Sequence, residues 1–380
     1  MLLHYQDPVK LKTKKVVFED SYYARDSITL EQLRELSTRR RAIEDFLSGS
    51  NQLTPAIARE MAGGISSRIL QDLQKVERYI PLLQNLVVLI ESFDGNEQIS
   101  HWTSDLRIRW TSILTNAGPF GLIGLKFYRV DSLRYELAMV FFLYGGLLRE
   151  RALEILPSDL VEAATLFRNA AGVYTHMAQD VLPLLQNLQP SERIPETVSA
   201  MANVMSLICL AEAQAVTVQK AEQKAISGSL LAKLHYGVVQ FLNEANDLLQ
   251  TQLNESFGVS EKLKMFISTC MILHEGRSQI YIANEFMKQD RLGVAIGILR
   301  HAMSNFQGRS PGGEQTWRLT FSQEADRLGE LLQKFENQND FILREKPPRL
   351  DELPVLEGKR VVSPIDYHLP TLDRDLAFVL

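Results

Sequence analysis

The sequence predicts an elongated, all-α protein. Apolar residues recur at three- and four-residue spacing through most of the chain, which is the signature of amphipathic helices. The breaks between these periodic segments are short and carry glycine or proline. Helices of this length with short connections suit antiparallel helix pairs stacked as in tetratricopeptide-type solenoids. We therefore expect a tetratricopeptide-like core, with a small N-terminal β element and an extended C-terminal arm.

The chain divides into three parts of a single domain, residues 1–380. Residues 1–27 form a strand-like leading segment, because KLKTKKVVFED fits a strand or a hairpin. Residues 28–337 form the helical body. Residues 338–380 form an extended arm, since five of the fourteen prolines fall between positions 347 and 370. The arm is too apolar for a free tail, so we expect it to pack back along the body.

The first part of the helical body contains three predicted helices. Leucines at helical spacing mark the first: Leu30, Leu33 and Leu36. Thr54 and Pro55 fit an N-cap and a first helical residue, opening a long helix towards Phe93 that the turn DGNE (94–97) ends. A third set lies on one helical face: Trp102, Leu106, Trp110 and Ile113.

The remaining helices follow a glycine-rich loop at residues 116–124. We expect them at roughly 131–155, 159–188, 196–226, 229–256, 260–288, 291–306 and 314–337. The breaks between them include the stretches QPSERIPE, SGS and FGVS, and the loop QGRSPGG precedes the last helix.

Charge and cysteine usage bound the class of protein. A net charge of −5 argues against bulk attraction to nucleic acid. Cys209 and Cys270 lie in apolar helical contexts, which indicates buried thiols in a reducing compartment. The longest apolar run, residues 137–148, is shorter than the ~20 residues of a membrane span. With no signal peptide, transmembrane segment or prenylation motif, we expect a cytoplasmic protein that touches membranes only peripherally.

Catalytic motifs are incomplete in this sequence. His274 and Glu275 begin like a zinc-protease helix, but Ser278 stands where the second histidine is needed. The glycines of RSPGGE lack the lysine of a phosphate-binding loop. We therefore expect no enzyme, no metal and no cofactor.

Two basic clusters stand out in this acidic chain. The candidate residues are Lys12, Lys14 and Lys15 in the leading segment and Arg39, Arg40 and Arg41 in the first helix. One interpretation is ordinary solvated surface. The other is contact with anionic lipid, where each basic side chain near the membrane contributes about 1 kcal/mol.

The segment 206–234 contains the most informative pattern. Its first half is apolar on most sides, which indicates core, and Glu212 within it needs a hydrogen-bond partner if it is buried. After the Ser-Gly-Ser break, Leu230 and Leu234 are spaced i, i+4 and flank Lys233. Periodicity alone favours core for both leucines and leaves partner binding as the alternative.

Five segments, in order, resemble the Bro domain found in Alix, Brox and rhophilin. They are LRYELAMVFFLYGGL (133–147), LVEAATLFRNAAGVYTHM (160–177), SLICLAEAQAVTVQKA (206–221), RLGVAIGILRHA (291–302) and NDFILREKPP (339–348). The last segment departs from the family pattern at Leu343, where relatives carry a tyrosine. In its extent the chain resembles the stand-alone Bro-domain proteins of plants.

The resemblance implies a banana-shaped domain whose concave apolar patch receives the C-terminal amphipathic helix of an ESCRT-III subunit. The family's two aliphatic anchors fall on Leu230 and Leu234. The third anchor, a phenylalanine in Alix, falls on Thr217. Lys220 and Lys233 match the basic positions that could pair with acidic residues of the partner helix.

These expectations together describe a non-enzymatic endosomal adaptor. It would bind an ESCRT-III helix and support multivesicular-body sorting or another membrane-remodelling step. The alternative is a tetratricopeptide-like scaffold for a different partner, such as a receptor, a channel or a component of the ubiquitin machinery. Thr217 keeps this alternative open, and the sequence leaves the oligomeric state undetermined.

Overall fold

The computed structural model describes residues 3–5, 7–49, 67–93, 95–115, 126–185, 194–224, 226–253, 258–307, 312, 314–370 and 378–380. The helices in this part of the chain are α1 (Ser27–Ser48), α2 (Arg68–Ser92), α3 (Glu97–Asp105), α4 (Leu133–Ile155), α5 (Leu160–His176), α6 (Ser199–Glu222), α7 (Gly228–Gln252), α8 (Glu261–Lys288), α9 (Leu292–Phe306) and α10 (Gln315–Gln338). Two short antiparallel strands accompany them, β1 (Arg109–Thr111) and β2 (Phe127–Arg129). The all-α class with a small β element is confirmed.

Sequence neighbours are also spatial neighbours in the helical body. Each helix from α4 to α7 packs extensively against the helix that follows it, and α9 packs between α8 and α10. This arrangement is the sequential stacking expected of a helical solenoid. A single buried apolar cluster nevertheless extends from Leu3 to Leu380, so both ends of the described chain join the same core.

Helix starts follow local capping chemistry. The Asp159 carboxylate accepts the backbone N–H groups of Val161 and Glu162 at 2.7 and 3.0 Å, which opens α5. Ser227 caps α7 from the Ser-Gly-Ser break, with Oγ 3.4 Å from the backbone nitrogen of Leu230. The expected cap at Thr54 and Pro55 lies outside the described residues, whereas α2 begins at Arg68 with Ser67 as its N-cap.

The region after α3 differs from its predicted helical face. Helix α3 ends at Asp105, and Arg107 adopts a left-handed backbone conformation with φ of 49°. Trp110 then lies in β1 opposite Tyr128, and Thr13 of the leading segment bridges to Trp110. The leading segment therefore adds to the β1–β2 pair, and the prediction of one continuous helix through Trp110 was wrong.

Buried ion pairs connect distant helices. The Arg149 guanidinium of α4 donates to both carboxylate oxygens of Glu212 on α6, at 2.5 and 2.6 Å, and both side chains are almost fully buried. This pair supplies the partner that the sequence requires for Glu212. Removing one member of such a pair leaves an uncompensated charge in the interior.

The C-terminal arm packs across the helices, as predicted. Its backbone approaches two helical glycines so closely that an added Cβ would lie 1.7 Å from the Ile365 carbonyl oxygen at Gly172 and 2.5 Å from the Lys359 carbonyl oxygen at Gly237. The Gln214 side chain makes two hydrogen bonds to the arm. It donates to the Lys359 carbonyl oxygen at 2.8 Å and accepts from the Val361 backbone N–H at 2.9 Å. The arm is thus a fixed part of the surface.

Helix α6 lies at the centre of the solenoid. Among the described helices it is the one long and apolar enough to cross a membrane by length and composition alone. However, 83% of its most apolar window is buried within the protein. The apolarity of α6 is therefore explained by its place in the core.

Candidate partner-binding face

The α6–α7 hairpin ends in a small apolar cluster of its own, separate from the main core. Its buried members are Val218, Ala221, Leu231 and Leu234, and its partly exposed members are Ile226, Leu230 and Tyr281. We call these seven residues, with the adjoining Thr217, the hairpin patch. The Ser-Gly-Ser break places the start of α7 beside the end of α6, which packs Leu230 and Leu234 with Val218 and Ala221.

The two leucines of the predicted anchor pair differ in exposure. Leu230 is half-buried at the rim of the hairpin patch. Leu234 is only 5% exposed, because its side chain fills the contact between α6 and α7. The free protein therefore presents Leu230 at this surface, and partner contact at the buried Leu234 stays a prediction.

Thr217 and Lys220 lie on α6, next in sequence to Val218 and Ala221 of the hairpin patch. The Thr217 hydroxyl donates to the Ala213 carbonyl oxygen at 2.9 Å within the helix, so it is satisfied without a partner. Lys220 is half-buried near the N-terminus of α5. There, the pKa of the Asp159 carboxyl is lowered mainly by the backbone N–H groups that it accepts, with a smaller contribution from the Lys220 charge.

Lys233 already has an acidic partner within the chain. Its ammonium lies 2.7 Å from the Glu357 carboxylate of the arm, and this contact lowers the pKa of Glu357. The Lys233 carbonyl oxygen also accepts the backbone N–H of Lys359 at 2.8 Å. Because the side-chain pair is solvent-exposed, it is weak enough to exchange for another acidic group. The arm therefore borders the hairpin patch on this side.

The basic clusters separate into surface and interior residues. Arg40 is fully buried and pairs with Glu136 at 2.5 Å and with Glu44 at 3.2 Å. Its guanidinium stacks 5.0 Å from the centre of the Trp110 ring, and the Trp110 indole N–H donates to Glu136 at 2.6 Å. Arg40 therefore cannot contact lipid, and that part of the prediction was wrong.

The other basic side chains remain at or near the surface. The exposed ones are Lys14, Lys15 and Arg41. Lys12 is half-buried and donates to the Leu47 carbonyl oxygen, while Arg39 pairs with Glu35 at 2.5 Å. Arg40 also donates to the Thr13 hydroxyl at 2.5 Å, so the two clusters lie side by side. Lipid contact stays a prediction for the exposed members.

A pair of buried histidines was not anticipated from the sequence. Nδ1 of His235 lies 3.1 Å from Nδ1 of His274, and Glu222 accepts hydrogen bonds from His235 at 3.3 Å and from the Tyr281 hydroxyl at 2.8 Å. Burial lowers the pKa of both histidines, whereas the hydrogen bond from His235 lowers the pKa of Glu222 to about 2. These groups line a polar cavity of about 120 Å³.

Sequence spacing could not reveal this histidine pair, because its members lie on α7 and α8, 39 residues apart. In the described ranges, no group of three or more histidine, cysteine, aspartate or glutamate side chains is arranged to hold a metal ion. The two cysteines are unlinked thiols, one buried and one half-buried, and burial raises the pKa of each.

The fold and the hairpin patch define the class of the protein: an α-helical solenoid with an arm that borders an apolar, lysine-flanked helix pair. The model of the BRO1-like domain matches residues 67–376, which is most of the chain. The chain belongs to the BRO1-like domain family.

Curated relatives share this domain at low identity. The human BRO1 domain-containing protein BROX is 24% identical over 310 residues, covering 77% of this chain and 72% of BROX. The programmed cell death 6-interacting protein of Xenopus laevis is 24% identical over 268 residues, covering 70% of this chain but 30% of that longer protein.

Solved structures confirm the fold. The ALIX BRO1 domain, in a complex with CHMP4C, superimposes with a TM-score of 0.69 at 20% identity, and 94% of each chain is covered. A structure of the Bro1 domain solved to explain endosomal targeting gives a TM-score of 0.64 at 17% identity, covering 96% of this chain and 94% of that one. The expected banana-shaped helical domain with a C-terminal arm is therefore correct.

Proposed function

We propose that this protein is a non-enzymatic adaptor that holds the C-terminal amphipathic helix of an ESCRT-III subunit on the hairpin patch. One observation carries the proposal. Leu230 stays half-exposed at the rim of an apolar cluster, on a helix hairpin that carries Lys220 on α6 and Lys233 on α7. Membership in the BRO1-like family supports it, since the ALIX domain of this family forms a complex with CHMP4C, an ESCRT-III subunit.

The patch suits the two faces of an amphipathic helix. Apolar side chains of the partner would cover Leu230 and the edge of the cluster, while acidic side chains would approach the lysines. At Lys233, an acidic side chain of the partner helix would replace Glu357. One solvent-exposed ion pair would then be exchanged for another. Specificity for an acidic helix would therefore depend more on Lys220.

The affinity of this patch should be lower than that of a patch with three apolar anchors. Thr217 stands where an aromatic anchor is expected, and Leu234 has little surface left to bury. A fully buried phenylalanine contributes about 1.5–3 kcal/mol, which sets the scale of the loss. A weak, reversible contact of this kind suits an adaptor that supports multivesicular-body sorting or membrane remodelling at endosomes.

Attraction to anionic lipid is a second, minor part of the proposal. The exposed basic residues of the leading segment and α1 would add a salt-dependent contribution, because surface electrostatics are screened at physiological ionic strength. Liposome co-sedimentation at low and high salt should show binding that fades with salt. Binding unchanged by salt would contradict a contribution from these residues.

The proposal is tested by titrating fluorescent C-terminal peptides of ESCRT-III subunits against three proteins: the wild type, Leu230→Asp and Leu319→Asp. A charge at Leu230 would have to be desolvated by the partner, so binding should weaken by at least about ten-fold. Leu319 is 55% exposed on α10, away from the hairpin, so its variant is the matched control. Leu234→Asp is less informative, because it would also disrupt the α6–α7 contact.

Two results would refute the assignment. One is that no ESCRT-III peptide binds the wild type. The other is that Leu230→Asp binds as well as the wild type and the control. In either case the tetratricopeptide-like scaffold for a different partner would become the better explanation, since Thr217 already departs from the anchor pattern.

A further inference from the structure

A row of basic side chains crosses one face of the β element. Arg109 of β1 stands directly opposite Arg129 of β2 in the antiparallel register. The leading segment extends the same sheet on the other side of β1, because Thr13 forms an antiparallel bridge with Trp110. One position away on each strand, the Lys14 backbone N–H donates to the Arg109 carbonyl oxygen at 3.2 Å, so Lys14 stands opposite Arg109. Three cations therefore lie side by side across the leading segment, β1 and β2.

This row lies on the outer face of the sheet. Trp110, the neighbour of Arg109, is fully buried, and successive residues of a strand point to opposite faces. Arg109 is half-buried, whereas Lys14 and Arg129 are exposed. The Lys14 ammonium lies 4.4 Å from the centre of the Phe127 ring of β2. The Lys14 side chain therefore reaches across β1 towards the strand that carries Arg129.

The charges of the row are only partly neutralised. Arg129 pairs with Asp131 at 2.9 Å. Within the described residues, neither Lys14 nor Arg109 forms an ion pair. Like charges directly opposite each other on a sheet are destabilising. The fold thus keeps two uncompensated cations next to each other, and a bound anion would neutralise them.

We propose that this row binds a phosphate monoester between Lys14 and Arg109. Such a group carries about −1.5 to −2 charges at pH 7, so a single phosphate matches two adjacent cations, whereas a carboxylate would neutralise one. A guanidinium binds phosphate through two parallel hydrogen bonds, and an ammonium adds a point charge. Opposite Cβ atoms lie about 4.5–5.5 Å apart, so both side chains reach one phosphate. Asp131 already occupies Arg129, which restricts the site to the other two cations.

This site differs from the diffuse lipid attraction proposed above. Diffuse attraction treats every exposed basic side chain alike. The phosphate site uses the half-buried Arg109 and leaves out the exposed Lys15, because adjacent residues of an extended segment point to opposite sides. None of these residues belongs to the hairpin patch, so the inference goes beyond the ESCRT-III contact and either can fail without the other.

The phosphate monoester belongs either to a lipid headgroup or to a soluble molecule, and the first measurement addresses the lipid. The full chain is co-sedimented with vesicles that contain phosphatidic acid, whose headgroup is a phosphate monoester. The control vesicles contain enough phosphatidylglycerol, a phosphate diester, to give the same zeta potential. Binding to phosphatidic acid should be about five-fold tighter, as one additional engaged cation implies. Diffuse attraction would bind both kinds of vesicle equally.

The second measurement addresses a soluble phosphate. Phenyl phosphate is titrated into the full chain, and the Nε–H signal of Arg109 is followed by NMR. Phenyl sulfate, which has a similar shape but a single charge, is the control and should bind about five-fold more weakly. Preference for the monoester on vesicles alone supports the site and identifies a lipid headgroup. Preference for phenyl phosphate alone supports the site and identifies a free phosphate.

Three variants locate the site. Lys14→Gln and Arg109→Gln each remove one of the two cations, so each should weaken binding of the monoester probe by about five-fold. Lys15→Gln removes the same charge at the exposed neighbouring position and should bind the probe like the wild type. Thermal unfolding checks each fold, and the unfolding temperature should not fall in Arg109→Gln, because Arg109 forms no ion pair among the described residues.

Two results would overturn the proposal. One is that wild-type protein shows no preference for the monoester in either measurement. The other is that folded Lys14→Gln and Arg109→Gln variants bind the monoester probe as tightly as Lys15→Gln does. The first result needs the wild type alone, so the test does not depend on the stability of any variant. A failure of ESCRT-III peptides to bind would leave both measurements unaffected.

Discussion

The substitution Thr217→Phe should strengthen binding of an ESCRT-III helix. Thr217 lies on α6 at the hairpin patch, and its hydroxyl is satisfied by the Ala213 carbonyl oxygen within the helix. Replacing it therefore leaves no unpaired polar group in the protein. The new aromatic ring would supply the third apolar anchor that the family pattern places at this position.

The magnitude follows from burial. A phenylalanine contributes about 1.5–3 kcal/mol when it passes from water to a fully buried site. Position 217 is half-buried in the free protein, so about half of this contribution, roughly 1 kcal/mol, remains for the partner. That free energy corresponds to an affinity about five-fold higher.

Fluorescence anisotropy with a labelled C-terminal helix peptide measures this gain. Val161→Phe, at a position 52% exposed on α5, is the control for non-specific binding of the peptide to an added aromatic ring. Thermal unfolding of each variant checks that the fold is intact. An unchanged or lower affinity of a folded Thr217→Phe variant would refute the placement of Thr217 at the contact.

Three further predictions concern the stability of the fold and the packing of the arm. Glu212→Leu should lower the free energy of unfolding in urea by about 3–5 kcal/mol, because Arg149 loses its buried partner; a loss below about 1 kcal/mol would contradict this. Gly172→Val should displace the arm and expose it to limited proteolysis while helical circular dichroism stays unchanged; an arm as protected as in the wild type would show that the close approach is wrong. Burial holds the pKa of His235 and His274 below 6.5 in the folded protein. As the pH falls below 6.5, the unfolded chain therefore binds more protons than the folded one, and the free energy of unfolding should decrease. Replacing both by uncharged residues should flatten this decline, and an identical pH dependence in wild type and variant would exclude the histidine pair as its cause.

Helix positions could be predicted closely from the sequence. The segment expected at 229–256 is α7, Gly228–Gln252, because its apolar face and its Ser-Gly-Ser start are local features. The same helical spacing failed at Trp110. Trp110 pairs with Tyr128 in the β1–β2 sheet, and its indole N–H donates to Glu136. Both partners are too far away in the sequence for helical spacing to reveal them.

The site could be predicted only in part. The sequence does not distinguish the three consecutive arginines, Arg39, Arg40 and Arg41. In the structure, Arg40 faces the interior because α1 packs its side chain against Glu136. Likewise, Leu230 and Leu234 share one helical face, yet α6 covers the second and leaves the first at the rim. Which side of a helix meets a neighbour depends on tertiary packing that periodicity does not encode.

Hydrogen exchange with mass spectrometry tests the central claim most directly, because it needs no substitution. The full chain is compared with and without a saturating ESCRT-III C-terminal helix peptide. Added protection should concentrate at the hairpin, in residues 213–235, and extend to the bordering arm around Glu357. Protection confined to other helices, or no change at the hairpin with the peptide bound, would contradict the hairpin patch as the docking site.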